Sequence, residues 1–142
     1  MTRFAQGPAS SPGFLLWRLT LAWQRAVTTA LAPLGLTHVQ FVLLASAWWL
    51  AEQGTVPHQQ DLATHAGTDA RMTSEVVRKL AAKGLLAREV DARDTRARQL
   101  RPTAAGVALA KRAIQAVEDV DAAFFATESD TLVPLLTRLV NR

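Results

Sequence analysis

The 142-residue chain contains no cysteine and no tyrosine. Without thiols there can be no disulfide, no thiol-based peroxide sensing and no cysteine-ligated zinc, an absence that fits a cytoplasmic protein. The usual signatures of catalysis are missing as well. There is no glycine-rich phosphate loop, no serine in a nucleophile-elbow setting and no H-E-x-x-H pair. The three histidines, His38, His58 and His65, are scattered without acidic partners at zinc-site spacing. The sequence therefore predicts neither an enzyme nor a metal or cofactor site. No apolar run reaches the roughly 18 to 20 residues of a membrane span. Residues 1–12 lack the charged start and apolar core of a signal peptide, so none is expected there.

What the chain does have is apolar material and an uneven charge. Hydrophobic residues make up 49% of it, ample for one core in a single domain. The formal net charge is +4, but it is not spread evenly. Residues 71–101 hold 9 of the 16 Lys and Arg and only 4 of the 12 Asp and Glu, so the rest of the chain is slightly acidic. A local basic excess of this kind is the footprint of a polyanionic partner, and double-stranded DNA is the natural candidate.

The pattern along the chain is helical at both ends. Residues 14–31 predict a helix closed by Pro33 and Gly35. Thr37 and Gln40 have capping-box spacing and open a second helix that runs to about Glu52, with Gly54 after it. Residues 55–57 form a short extended piece. A short helix from His58 to Ala66 stops at Gly67. Thr68 and Asp69 are both good N-caps for a helix running to about Lys83, with Gly84 just past its end. Helix, tight glycine turn, helix is the helix-turn-helix pattern. Residues 85–90 and 97–101 read as two short strands flanking the charged tip Asp91-Ala-Arg-Asp-Thr-Arg96, a β-hairpin wing. Thr103 caps a long helix to about Ala126. Residues 129–140 form the last helix, with Pro134 expected in or near its first turn. Leu15, Leu19 and Ala22 form one terminal apolar stripe, and Leu132, Leu135, Leu136 and Leu139 another. In a chain this small, both favour a homodimer.

At 100° per residue, the helix after Asp69 turns Val76, Val77 and Leu80 to one side together with Thr73, with Met72 at the border. Arg71, Ser74, Glu75, Arg78 and Ala82 cluster on the other. A short polar face with arginines suits the major groove, where Arg can bond bidentately to guanine. Glu75 can pair with Arg71 or Arg78. The residues expected to contact DNA are Thr68, Asp69, Arg71, Thr73, Ser74 and Arg78 around this helix, and Arg93, Arg96 and Arg98 in the wing. Asp91 and Asp94 would orient the wing arginines. A wing arginine in the minor groove meets concentrated negative potential.

Leu62-Ala63, Thr73-Ser-Glu-Val-Val-Arg-Lys-Leu80, Lys83-Gly-Leu-Leu86, the tip 91–96 and Leu100-Arg-Pro-Thr103-Ala-Ala-Gly106 together resemble the MarR family of winged helix-turn-helix regulators. All four charged wing positions and the Thr-x-x-Gly that follows are present; Pro102 stands where the family usually has leucine, and the strand should end there. The resemblance covers about residues 60–106 by motif and nearly the whole chain by helical order. It implies a mainly α fold with a small β-hairpin wing, in which a winged helix-turn-helix lobe (37–103) is flanked by dimerisation helices (13–36 and 104–142). It also implies a homodimer on a pseudo-palindromic operator, usually a repressor released by a small aromatic or phenolic effector. On that reading Arg96 enters the minor groove, Trp17 and Trp23 wall the effector pocket, Arg18 meets a carboxylate and His38 bonds a phenol; the plainer alternative makes the tryptophans part of a dimer core, Arg18 a surface charge and His38 a first-turn polar residue. A winged-helix interaction module without DNA binding is the alternative, favoured only by the acidic Glu75 in the recognition face.

Overall fold

The computed structural model describes residues 3–90, 93 and 98–142. Six α-helices and one hairpin follow in the order α1 (Pro12–Leu31), α2 (His38–Glu52), α3 (Gln59–Ala66), α4 (Ala70–Ala82), β1 (Leu86–Val90), β2 (Arg98–Pro102), α5 (Ala104–Phe125) and α6 (Ser129–Val140). This is the expected mainly helical, winged architecture.

Helix boundaries follow the local chemistry. Ser11 caps α1 through the Phe14 amide, with Pro12 at the first helical position, where its missing N–H is harmless. Thr37 and Gln40 form the complete capping box of α2. Their two hydrogen bonds are 3.2 Å each. Pro134 corrects the expectation for α6. The helix begins at Ser129 as expected, which puts Pro134 in the second turn, just past the first, so its ring removes an internal backbone bond rather than an orphan one.

Helix α2 is apolar nearly all round because it is the central helix. Leu43, Leu44 and Ala47 meet Val27 and Leu31 of α1, Leu62 of α3, Val76, Val77 and Leu80 of α4, and Ala110, Ala113 and Val117 of α5 in one continuous core. Helices α1 and α2 meet at 74° across a short 3₁₀ turn. The hairpin pairs Leu86 with Pro102 and Val90 with Arg98. It is anchored by Leu86 and Leu100, both buried. The extended piece at 55–57 adds a third short edge: the Leu100 amide donates to the Pro57 carbonyl at 2.8 Å, and His58 bridges Gln99.

The corner after the hairpin explains the Thr-x-x-Gly signature physically. Thr103 caps α5 by accepting from the Gly106 amide at 3.0 Å and donates its own hydroxyl to the Gly84 carbonyl at 2.6 Å. Its amide donates to the Leu85 carbonyl at 3.1 Å. A β-carbon on Gly106 would lie 2.0 Å from that same carbonyl oxygen. Glycine is thus required for close approach, and it fastens the start of α5 to the end of α4.

The terminal helices are left uncovered. None of the residues of α6 is buried. Leu135, Leu136, Leu139 and Val140 are exposed there, as are Phe14, Leu15, Leu16 and Leu19 on α1.

Candidate nucleic-acid interface

The recognition element is built from the turn outward. Gly67 takes a left-handed conformation (φ 73°), which lets the Gly67 and Thr68 amides return to the Ala63 carbonyl and ends α3. Gly67, Thr68 and Asp69 make the turn, and Asp69 caps α4 by accepting from the Met72 amide at 2.7 Å. Thr73, Val76, Val77 and Leu80 are buried against the core. Arg71, Ser74, Glu75, Arg78 and Lys79 are exposed. The Arg71 side chain is 90% exposed and pairs with Glu75, Nε to Oε1 at 3.4 Å. The acidic residue is therefore matched by its neighbour one turn away, an exposed pair of small energetic weight that can exchange for a phosphate.

Thr73 is a correction. It was expected at the DNA face, yet it is 0% exposed. Its hydroxyl donates to the Asp69 carbonyl at 2.7 Å and lies 2.7 Å from the Thr68 hydroxyl. Thr73 can hold the turn but cannot touch a partner. Thr68 is half-buried at the same junction, and the Asp69 carboxylate is committed to its cap.

In the wing, Arg98 is exposed at the start of β2, and Arg93 is exposed beside a polar recess of about 500 Å³ that also meets His58, Asp61 and Gln99. Glu89 and Arg101 pair across the strands at 3.4 Å. Asp91, Asp94 and Arg96 lie outside the described residues.

The four residues expected to form an effector pocket separate into two places. Trp23 and His38 line a cavity of about 620 Å³ in the corner of α1 and α2, which also meets Thr28, Val42, Thr68 and Met72. Arg18 is not there. It lines a separate groove with Leu15, Leu19 and Arg25. Trp17, 62% exposed, lines neither. One turn of helix rotates a side chain by about 360°, but the five residues from Arg18 to Trp23 advance roughly 500°, so Arg18 and Trp23 point in clearly different directions.

Two contacts escaped the sequence reading. The Trp23 indole N–H donates to Asp121 of α5 at 2.8 Å, across 98 residues of sequence. Nothing in the sequence singled it out, since Asp121 follows Glu118 and Asp119 on the same helix. The Trp23 and His38 rings meet edge to face at 5.0 Å. Burial holds the His38 imidazole below its ordinary pKa, with the Asp121 carboxylate opposing the shift in part. The second contact is Lys83, whose ammonium donates to the Gly35 carbonyl and, at 3.1 Å, to the Gln40 side chain. It ties the end of α4 to the capping box of α2.

A helix-turn-helix with an exposed polar second helix, followed by a hairpin packed at its end, defines the winged-helix DNA-binding class. The family model described as "MarR family" matches residues 36–97. The HTH-type transcriptional regulator YdcH of Bacillus subtilis is 46% identical over 120 residues, covering 84% of this chain and 82% of YdcH. The HTH-type transcriptional repressor Rv2887 of Mycobacterium tuberculosis is 36% identical over 114 residues, 80% of this chain and 79% of its own. A crystal structure of Rv2887 in complex with DNA matches with a TM-score of 0.67 over 93% of this chain and 96% of that one, at 30% identity. CouR from Rhodococcus jostii, solved bound to p-coumaroyl-CoA, gives a TM-score of 0.83 at 28% identity, covering 96% of this chain and 93% of CouR. The chain belongs to the MarR family and is a transcriptional regulator.

Proposed function

We propose that the protein is a ligand-responsive repressor that binds a pseudo-palindromic operator as a homodimer in the cytoplasm. The observation that carries this reading is the division of α4: one side is locked into the core, and the other presents the polar side chains Arg71, Ser74, Glu75, Arg78 and Lys79 to solvent, with Met72 exposed at the border. Such a helix can enter a major groove without losing its anchorage. Arg71, Ser74 and Arg78 read base edges or phosphate, and Thr68 and Asp69 set the entry angle of the helix. From the sequence, Arg96 takes the minor groove, Arg93 and Arg98 take phosphate, and Asp91 and Asp94 orient the tip. The unburied α6 and the exposed leucines of α1 supply the dimer face, a patch too apolar for a lone subunit. The relative Rv2887 is named a repressor and CouR carries a bound ligand, which supports extending both properties to this chain. The cavity at Trp23 and His38 touches Thr68 and Met72 at the start of α4, so its occupant bears directly on the recognition helix.

The test is selection of binding sites from random duplex DNA, followed by mobility-shift titration at fixed salt. A two-fold symmetric site with half-sites about one helical turn apart is expected. Arg96→Ala should weaken binding by about 1–3 kcal/mol with little change in melting. Recovery of no preferred sequence would refute the operator reading and leave a protein-interaction module.

A further inference from the structure

The cavity at the α1–α2 corner has a definite chemical character. Its aromatic surface comes from Trp23 and His38, and its hydrogen-bonding groups are neutral: the hydroxyls of Thr28, Thr37 and Thr68 and the amide of Gln24. None of the described residues lining it is a lysine, an arginine or a carboxylate. The charges fixed behind its lining are the Asp121 carboxylate on the indole of Trp23, the Asp69 carboxylate on the Met72 amide and the Lys83 ammonium on the Gln40 side chain that caps Thr37, two negative and one positive. The cation that the sequence had offered to a carboxylate, Arg18, faces a different groove.

We infer that this cavity takes an uncharged aromatic ligand bearing hydroxyl or amide groups and discriminates against aromatic carboxylates. The inference rests on the reading of this cavity as the effector site. A carboxylate entering it loses part of its water, finds no cationic side chain in the lining to replace it and approaches the Asp121 carboxylate behind Trp23; those terms are unfavourable. An amide or phenol of the same shape loses less hydration and finds donors and acceptors in the threonines and Gln24. His38 behaves consistently with such surroundings: burial disfavours its cationic form even though Asp121 pulls the other way. The volume, about 620 Å³, is that of a site for a small ligand of one or two rings.

The experiment is isothermal titration of the full chain at pH 7.5 with a panel of matched aromatic amide–carboxylate pairs, 4-hydroxybenzamide and 4-hydroxybenzoate among them. Wherever a pair binds, the amide should bind at least about tenfold tighter than its carboxylate. Asp121→Asn keeps an acceptor for Trp23 and should narrow that gap by tightening the carboxylate while the amide stays within about twofold. Carboxylates that bind as tightly as their amides in the unaltered protein would overturn the inference, whether or not the variant folds. Thr28→Trp, at an exposed rim position, separates this failure from failure of the underlying reading. It should abolish binding; if no pair binds the unaltered protein, or binding survives the blocked rim, the cavity is not the effector site and the inference falls with it.

Discussion

Gly106→Ala is the sharpest test of how this chain is held together. The substitution adds one methyl group to a helix, which by propensity alone should help by up to about 1 kcal/mol. The structure reverses the sign. The new β-carbon would lie 2.0 Å from the Leu85 carbonyl oxygen, with the Leu85 carbonyl carbon at 3.0 Å. Relief requires more than about 1 Å of backbone motion, and such overpacking costs about 1–3 kcal/mol or more. That motion also strains the bond from the Thr103 amide to the same carbonyl and the bond from the Thr103 hydroxyl to Gly84. Each contributes about 1 kcal/mol. A net loss of about 2–4 kcal/mol follows once the helix gain is subtracted. Urea denaturation measures it directly, and the melting temperature should drop by roughly 5–10 °C. Ala104→Gly, two residues earlier and exposed, is the control: it too should destabilise, but by less than about 1 kcal/mol. A Gly106→Ala protein as stable as the unaltered chain would refute the close approach.

Three further outcomes are expected. Thr73→Val should cost about 1–2 kcal/mol in stability by orphaning its partners at the α3–α4 turn, while operator affinity per folded dimer stays within about threefold; a large affinity loss in a mobility-shift assay would return Thr73 to the DNA face. His38 has a depressed pKa in the folded state, so it binds fewer protons folded than unfolded, and its contribution to stability is complete above the unfolded value of about 6.5 and falls as the pH drops below it. His38→Gln should flatten that part of the stability–pH profile between pH 7 and 5, and an unchanged slope would show that other groups cause it. If the proposed homodimer uses the uncovered face of α6, Leu136→Glu should give a monomer at micromolar concentration in sedimentation velocity where the unaltered chain is a dimer, and a dimer that persists in the variant would exclude that face.

Much of the fold was legible because its punctuation is local. Thr37 with Gln40, Asp69, Gly67 and Thr103 all act within four residues of themselves, and each does in the structure what its type and spacing suggested. The buried and exposed sides of α4 were equally readable, since period alone separates Val76, Val77 and Leu80 from Arg71, Ser74 and Arg78. Thr73 shows the limit. The helical wheel turned it inward, but its polarity argued for a contact, and only the Thr68 and Asp69 partners show that polarity satisfied internally. The cavity was legible only in part for a different reason. Trp23 and His38 are brought together by the 74° corner between two helices, and Asp121 arrives from a third. No spacing along one element encodes such a meeting, although the five-residue step from Arg18 to Trp23 along α1 does separate Arg18 from the cavity.

The tethering of Lys83 has a consequence for counterions. Composition credits the basic segment 71–101 with nine cations per subunit. Release of condensed ions on binding duplex DNA scales with the phosphates actually neutralised, at about 0.9 ion for each. Lys83, although exposed, is tethered to the Gly35 carbonyl and the Gln40 amide, so its ammonium is held at the end of α4 instead of being free to follow a phosphate. The ionic-strength dependence of complex formation is therefore set by fewer charges than the sequence counts, and one lysine that looks like part of an electrostatic surface belongs instead to the framework that aims it.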